Sequence, residues 1–361
     1  MEKTKKARLG GKLRGIRELL GVFGAFALIF VLLSVIPGVS EKFLAPSNLF
    51  NIARQITVNI VLACGLTMAI LIGGIDLSVG SVIAISGCLV GGLMTNNGLP
   101  VYAAIAIGLA SGAVFGAVNG LVISRTNIPP FIVTLAGMFF ARGMTTIVNT
   151  KPFNVANESF TALKETRVIV PGMGSVNKLG NYVNAYVEIG VIVALLVVIL
   201  MFIMLRWTKM GRSFYAVGGN NQSALMLGIN VKRTKFMSHL LCGLLAGIGG
   251  YVYFLHVGSG AASHATGMEM NAIASSIIGG TMLTGGVGNI IGTFFGVLSL
   301  STIQNIVSSA GLDQAWWTGI TIAAMLCLFL VVQSVVIARK KKMLQNKKKQ
   351  LKIGRSGKSV A

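Results

Sequence analysis

Of 361 residues, 54% are hydrophobic and 11% charged, where a soluble domain carries about 25% charged side chains. That composition excludes an ordinary soluble enzyme and marks a membrane protein. The formal net charge of +22 does not indicate a nucleic-acid binder, because 23 of 31 Lys and Arg sit in three segments beside apolar runs: Lys3–Arg17, Arg206–Lys235 and Arg339–Lys358. The two terminal segments lack interleaved aromatics. By the positive-inside rule all three belong in the cytoplasm, where they also meet anionic lipid headgroups.

Ten apolar runs approach the ~20 residues a bilayer needs. They are 20–37, 54–73, 77–95, 100–123, 128–148, 187–206, 236–256, 268–285, 288–309 and 316–337. Ten is even, so both termini lie on the cytoplasmic side. The prediction is an all-α polytopic membrane protein. A basic cytoplasmic segment (1–19) precedes a membrane domain (20–337), and a basic tail (338–361) follows. The first run lacks a small-x-small cleavage site and reads as an uncleaved first helix. Runs 268–285 and 288–309 are glycine-rich and closely spaced, so re-entrant segments are an alternative to full spans there.

The segment Ile72–Ser81 (IGGIDLSVGS) places one carboxylate, Asp76, between two apolar runs. A charge at membrane depth costs roughly 3 kcal/mol on insertion scales, so it needs a surface, a cavity or a partner. Gly73, Gly74 and Gly80 permit close packing and a break in the helical path. Asp76 reads as a cap on the helix opening at Leu77, with Ser78 a structural residue of the same segment. A substrate or proton contact is the alternative. Residues 149–186 form a long external loop and 207–235 a cytoplasmic one. Within the latter, Asn220 as N-cap and Gly228 as C-cap predict a short helix from Asn221 to Leu227. Its apolar face, Ala224, Leu225 and Leu227, fits either headgroups or a groove on a cytoplasmic partner.

Other intramembrane polar residues carry two readings each. Asn59, Asn119, Thr134, Gln304 and Asn305 either glue helices together or line a pathway. Arg142 either snorkels outward or lines the pathway. Glu269 is read as structural, near the outer face. Trp316 and Trp317 fit an interfacial belt. Cys64, Cys88, Cys242 and Cys327 are scattered singly and read as core residues. His239, His256 and His264 have no ligand spacing, so no metal is expected. No nucleophile–base set suggests catalysis. Gly354–Ser359 (GRSGKS) mimics a phosphate loop, but the spacing needs glycine where Lys352 stands.

Four ordered segments carry a resemblance: Ile72–Ser81, Ile128–Gly143 (IPPFIVTLAGMFFARG), Tyr215–Ile229 (YAVGGNNQSALMLGI) and the stretch 267–296. Together they resemble the permease subunit of bacterial ATP-binding cassette (ABC) importers for monosaccharides, the ribose, xylose, galactose and galactofuranose branch. TLAGMFFARG and the Trp316–Trp317 pair are most similar to the galactofuranose type. The Lys-rich tail departs from that pattern. The resemblance implies the ABC importer permease fold in the bacterial cytoplasmic membrane, translocating a pentose or hexose. It also implies three kinds of partner: a two-cassette ATPase, an extracytoplasmic sugar-binding protein and a second permease copy or paralogue. ATP and Mg would be bound by the ATPase, and this chain would hold no cofactor. Gly219, Asn220, Ala224, Gly228 and Ile229 would form the ATPase-coupling element, with Ala224 marking the close approach. Gly279, Gly280, Gly285 and Gly286 join the Asp76 segment as motif glycines. The competing class is an ion-coupled secondary sugar carrier. It calls for paired mid-membrane acids, and only Asp76 qualifies.

Overall fold

The computed structural model describes residues 46–155, 157–176, 182–309 and 314–356. The run 20–37 lies outside them. The elements in chain order are α1 (Pro46–Leu71), α2 (Val79–Asn97), α3 (Val101–Arg125), α4 (Pro130–Val148), β1 (Phe153–Asn154), α5 (Glu158–Glu165), β2 (Arg167–Val176), β3 (Tyr182–Glu188), α6 (Ile189–Trp207), α7 (Lys209–Gly219), α8 (Asn221–Met226), α9 (Val231–Val257), β4 (Ser259–Gly260), α10 (Met268–Ile278), α11 (Ile290–Ser309) and α12 (Ala315–Ser356). Among the described residues, eight helices are long and apolar enough to cross a membrane: α1–α4, α6, α9, α11 and the first part of α12. This is a multi-pass membrane protein.

Local sequence explains where the helices stop. Gly98 closes α2 in the left-handed conformation, as glycine does without a Cβ penalty. Pro100 and Pro129 precede α3 and α4, and Pro130 takes the first turn of α4, where a missing N–H costs nothing. The basic tail continues α12 to Ser356 instead of starting a separate segment at 338. Residues 338–353 contain neither Gly nor Pro and are rich in Lys, Gln and Leu, all good helix formers.

Run 268–285 is not a span. Its helix α10 has 11 residues, about 16 Å at 1.5 Å per residue, against ~30 Å of hydrocarbon. Gly279 caps it, and Gly280, Gly285 and Gly286 all hold positive φ, so the chain leaves the helical path there. Run 288–309 is a full-length helix, α11. The expected count of ten therefore loses one span within the described residues.

The bundle is layered. α1 and α2 are nearly enclosed, while α4 and α12 are largely exposed. A seam of small residues fixes α3 against α9. A Cβ on Gly112 would stand 2.6 Å from Gly247 Cα, and one on Gly116 would stand 2.6 Å from the His239 carbonyl. Glycines one turn apart let two backbones touch, the usual basis of close helix association in lipid.

The loop 149–186 contains structure that apolar periodicity does not reveal. β2 and β3 pair as an antiparallel hairpin, and β1 pairs antiparallel with β4. α5 is capped by Asn157, which accepts from Phe160 N at 3.1 Å. Phe160 is buried, with its ring 5.0 Å from Phe254. At this end the Tyr186 ring lies between Arg54 and Arg167, 4.2 and 4.3 Å from its centre.

Candidate functional site

Asp76 lies at the opposite end of the bundle, in the loop between α1 and α2, and is 1% exposed. Its Oδ1 accepts from Ser78 N at 3.0 Å and from Ser78 Oγ at 2.6 Å. Asn119 Nδ2, from α3, donates to Ser78 Oγ at 3.0 Å. Asp76 Oδ2 is 3.3 Å from His239 Nδ1, on α9. A carboxylate only accepts, so Nδ1 carries the hydrogen. His239 is fully buried and its Nε2 has no partner. Thr134 Oγ1, from α4, accepts from Leu77 N at 3.2 Å and lies 3.1 Å from the Ile75 carbonyl. Side chains of α3, α4 and α9 thus clamp one seven-residue loop. Asp76 shapes the turn ahead of α2, whose N-cap is Ser78 and whose first residue is Val79, not Leu77.

The glycine motifs converge at the same end. Gly73 N and Gly74 N donate to the carbonyls of Ile70 and Ala69, both at 2.9 Å, closing α1. Gly286 N donates to Leu71 O at 2.8 Å. A Cβ on Gly285 would be 2.8 Å from Gly73 N and 3.0 Å from Gly218 O, and one on Gly286 would be 2.8 Å from Gly219 Cα. A Cβ on Gly218 would collide with Leu71 O. Tyr215 OH donates to Gly288 O at 2.9 Å, and burial pushes its phenol pKa up. Three motif segments far apart in sequence thus meet backbone to backbone. Gly279 lies elsewhere: with Gly292 and Gly296 it lets α10 cross α11. Gly80 faces Ala265 O and the Glu269 carboxylate.

From that junction α7 leads into α8. Asn220 caps α8 by accepting from Ser223 N at 2.8 Å, and Gly228 turns the chain away at φ +77°. The face differs from the expected one. Ala224 is 1% exposed and belongs to the protein's own core, while Leu225, Met226 and Leu227 are 65%, 88% and 77% exposed. Six residues make under two turns, so α8 buries one residue and offers the next three outward. Ile229 is half-buried.

The remaining candidates are dispersed. Asn59 Nδ2 donates to Ser275 Oγ at 3.3 Å and bridges α1 to α10. Gln304 and Asn305 are half-buried on α11, away from the Asp76 cluster. Arg142 on α4 turns inward: its Nη1 donates to Ala262 O at 2.7 Å and to His264 O at 2.6 Å. Sequence reasoning did not assign His239. A lone histidine eight residues into a span carries no signal until α3 and α9 are packed together.

The buried polar clamp, the glycine junction and the short helix with an apolar exposed face all fall within the stretch matched by a transport-permease family. The chain belongs to the family described as branched-chain amino acid transport system / permease component, matched over residues 48–330. It is 38% identical to the inner membrane ABC transporter permease protein YjfF of Escherichia coli K12, over 76% of this chain and 79% of that protein. It is also 38% identical to the fructose import permease protein FruG of Bifidobacterium longum, over 77% and 80% respectively. To the ribose import permease protein RbsC of Escherichia coli K12 it is 36% identical, over 79% and 85%. No solved structure matches significantly.

Proposed function

We propose that this chain is the membrane-spanning subunit of an ABC importer that carries a monosaccharide, a pentose or hexose, across the bacterial cytoplasmic membrane. The relatives named for ribose and fructose import support the substrate class over the amino acids in the family's description. The resemblance to galactofuranose-type permeases adds galactofuranose to the candidate hexoses. A two-cassette ATPase binding ATP and Mg, an extracytoplasmic sugar-binding protein and a second permease copy or paralogue would complete the assembly, with lipid around it. The α7–α8 end is cytoplasmic and the β2–β3 hairpin end external in this reading.

The observation that carries the proposal is the α8 knob. Three large apolar side chains stand in solvent on a helix whose base is fixed by glycine contacts to α1 and to the loop before α11. Beside them runs an open groove of ≈ 740 Å³ lined by Arg125, Leu225, Ile229, Lys232 and Lys235. Exposed apolar residues outside the bilayer mark a partner surface, and a short helix in a partner's groove is a recurring mode of docking.

Replacing Leu225, Met226 and Leu227 together by Asp is expected to lower co-purification of the ATPase with tagged permease at least tenfold. The melting temperature of the permease alone should not change. Ala224→Glu behaves differently, because an unpaired charge in the core destabilises the permease itself. Full ATPase recovery with the triple variant would remove α8 from the coupling role.

Orientation has its own expected result. In a cysteine-free background, Lys164→Cys in α5 should react with an impermeant maleimide on intact protoplasts, and Lys209→Cys in α7 should not. The reverse pattern would invert the topology.

A further inference from the structure

Most buried polar groups in the described spans are closed into pairs. Thr67 Oγ1 lies 2.7 Å from Thr293 Oγ1, Asn59 meets Ser275, and both oxygens of Asp76 are engaged. Five buried side-chain atoms among the described residues have no partner, and one of them, Glu269 Oε2, lies beside a non-helical loop between the spans. After α9, the chain turns back at β4 and descends as a non-helical loop, 261–267, until Ala265 O touches Gly80 at the start of α2. Irregular backbone between membrane spans persists only where protein covers it or water reaches it. Ala265 and Gly267 hold positive φ, +55° and +83°. A non-glycine residue there is uncommon and tends to mark functional segments.

Two opposite charges flank this loop. Arg142, twelve residues into α4, commits Nη1 to the loop carbonyls. Glu269, in the first turn of α10, is buried, and its Oε2 has no hydrogen-bond partner. The two are within electrostatic reach of each other, yet no ion pair within 4.0 Å joins them. The ring of Tyr253 lies edge-on to His264, 5.4 Å between centres. Ser263, between the two carbonyls that hold Arg142, is exposed.

We propose that Arg142, Glu269 and the loop 261–267 form a contact between the spans for a neutral, polyhydroxylated substrate. Resting on the monosaccharide reading above, it names where the sugar is met. A hydroxyl is both donor and acceptor, so one sugar satisfies the idle carboxylate oxygen and the spare guanidinium N–H groups together. Adjacent aromatic rings suit the C–H faces of a pyranose or furanose. A closed Arg–Glu salt bridge would leave nothing for the substrate. An open pair binds it through a few bonds and releases it readily.

The test uses the whole transporter in membrane vesicles. Ser263→Cys is placed in a background with Cys64, Cys88, Cys242 and Cys327 changed to Ala, and is reacted with a trimethylammonium methanethiosulfonate. The proposal expects reaction, at least tenfold slower in saturating D-ribose, D-fructose or D-galactose, whichever is transported. It further expects Glu269→Gln and Arg142→Lys to raise the protecting concentration at least tenfold. ATPase co-purification should be unchanged in both variants. No reaction at Ser263→Cys overturns the site, because the loop then faces lipid or packed protein. Reaction with unaltered protection and unaltered uptake in Glu269→Gln also overturns it. If one of these sugars is taken up but does not protect Ser263→Cys, the site fails and the monosaccharide reading stands.

Discussion

Asp76→Ala is expected to destabilise the protein by about 3–5 kcal/mol, the range for removing one member of a buried charged pair, and to reduce uptake to background. The substitution strips three donors of their acceptor at once: Ser78 N, Ser78 Oγ and His239 Nδ1. All three are buried, so water cannot replace the lost carboxylate without opening the bundle. Asn119 loses its anchor as well, because it holds Ser78 Oγ in place. Asp76→Asn should be milder, since it keeps the shape and an acceptor for the turn. The double variant Asp76→Ala/His239→Leu should cost less than the two single losses added, because each single change strands the other group. Thermal unfolding in detergent, read beside uptake, checks all four. A melting temperature for Asp76→Ala equal to that of the parent would show that the clamp does not hold the loop.

How much of this was legible in the sequence varies by element. The apolar runs found the spans because hydrocarbon imposes a length and a hydropathy that composition registers directly. The α8 caps were readable because Asn220 and Gly228 act through local backbone chemistry. Run 268–285 looked like a span because average hydropathy is blind to φ, although Gly279, Gly280, Gly285 and Gly286 marked the break. The Asp76–His239 pair was hidden: 163 residues separate the partners, and the packing of α9 against α1, α2 and α3 brings them together. Ala224 was assigned outward because a six-residue helix has too little periodicity to say which face is covered. The hairpin β2–β3 was missed because its strand signals lie in a polar loop between spans.

The second large effect is expected from one methyl group at Gly218. Gly218 and Gly219 are neighbours at the end of α7, and substitution statistics alone would treat them alike. A Cβ on Gly218 meets Leu71 O and stands 2.5 Å from Gly286 N, the two atoms already joined by a hydrogen bond. Both are backbone, so no rotamer change relieves the contact. Either α7 moves off the end of α1 or the loop before α11 shifts, at roughly 1–3 kcal/mol or more for overpacking. A Cβ on Gly219 meets nothing within 4 Å, and alanine there is the better helix former by about 1 kcal/mol. Gly219→Ala should therefore melt at or above the parent and transport normally. Gly218→Ala should detach the short helix from the bundle while leaving Leu225, Met226 and Leu227 exposed. The expected signature is uncoupling: the ATPase still co-purifies, but its hydrolysis no longer drives uptake, which falls at least tenfold. Loss of ATPase binding in Gly218→Ala would mean that the junction shapes the docking face itself. Parental uptake in that variant would show that force does not pass through the glycine junction.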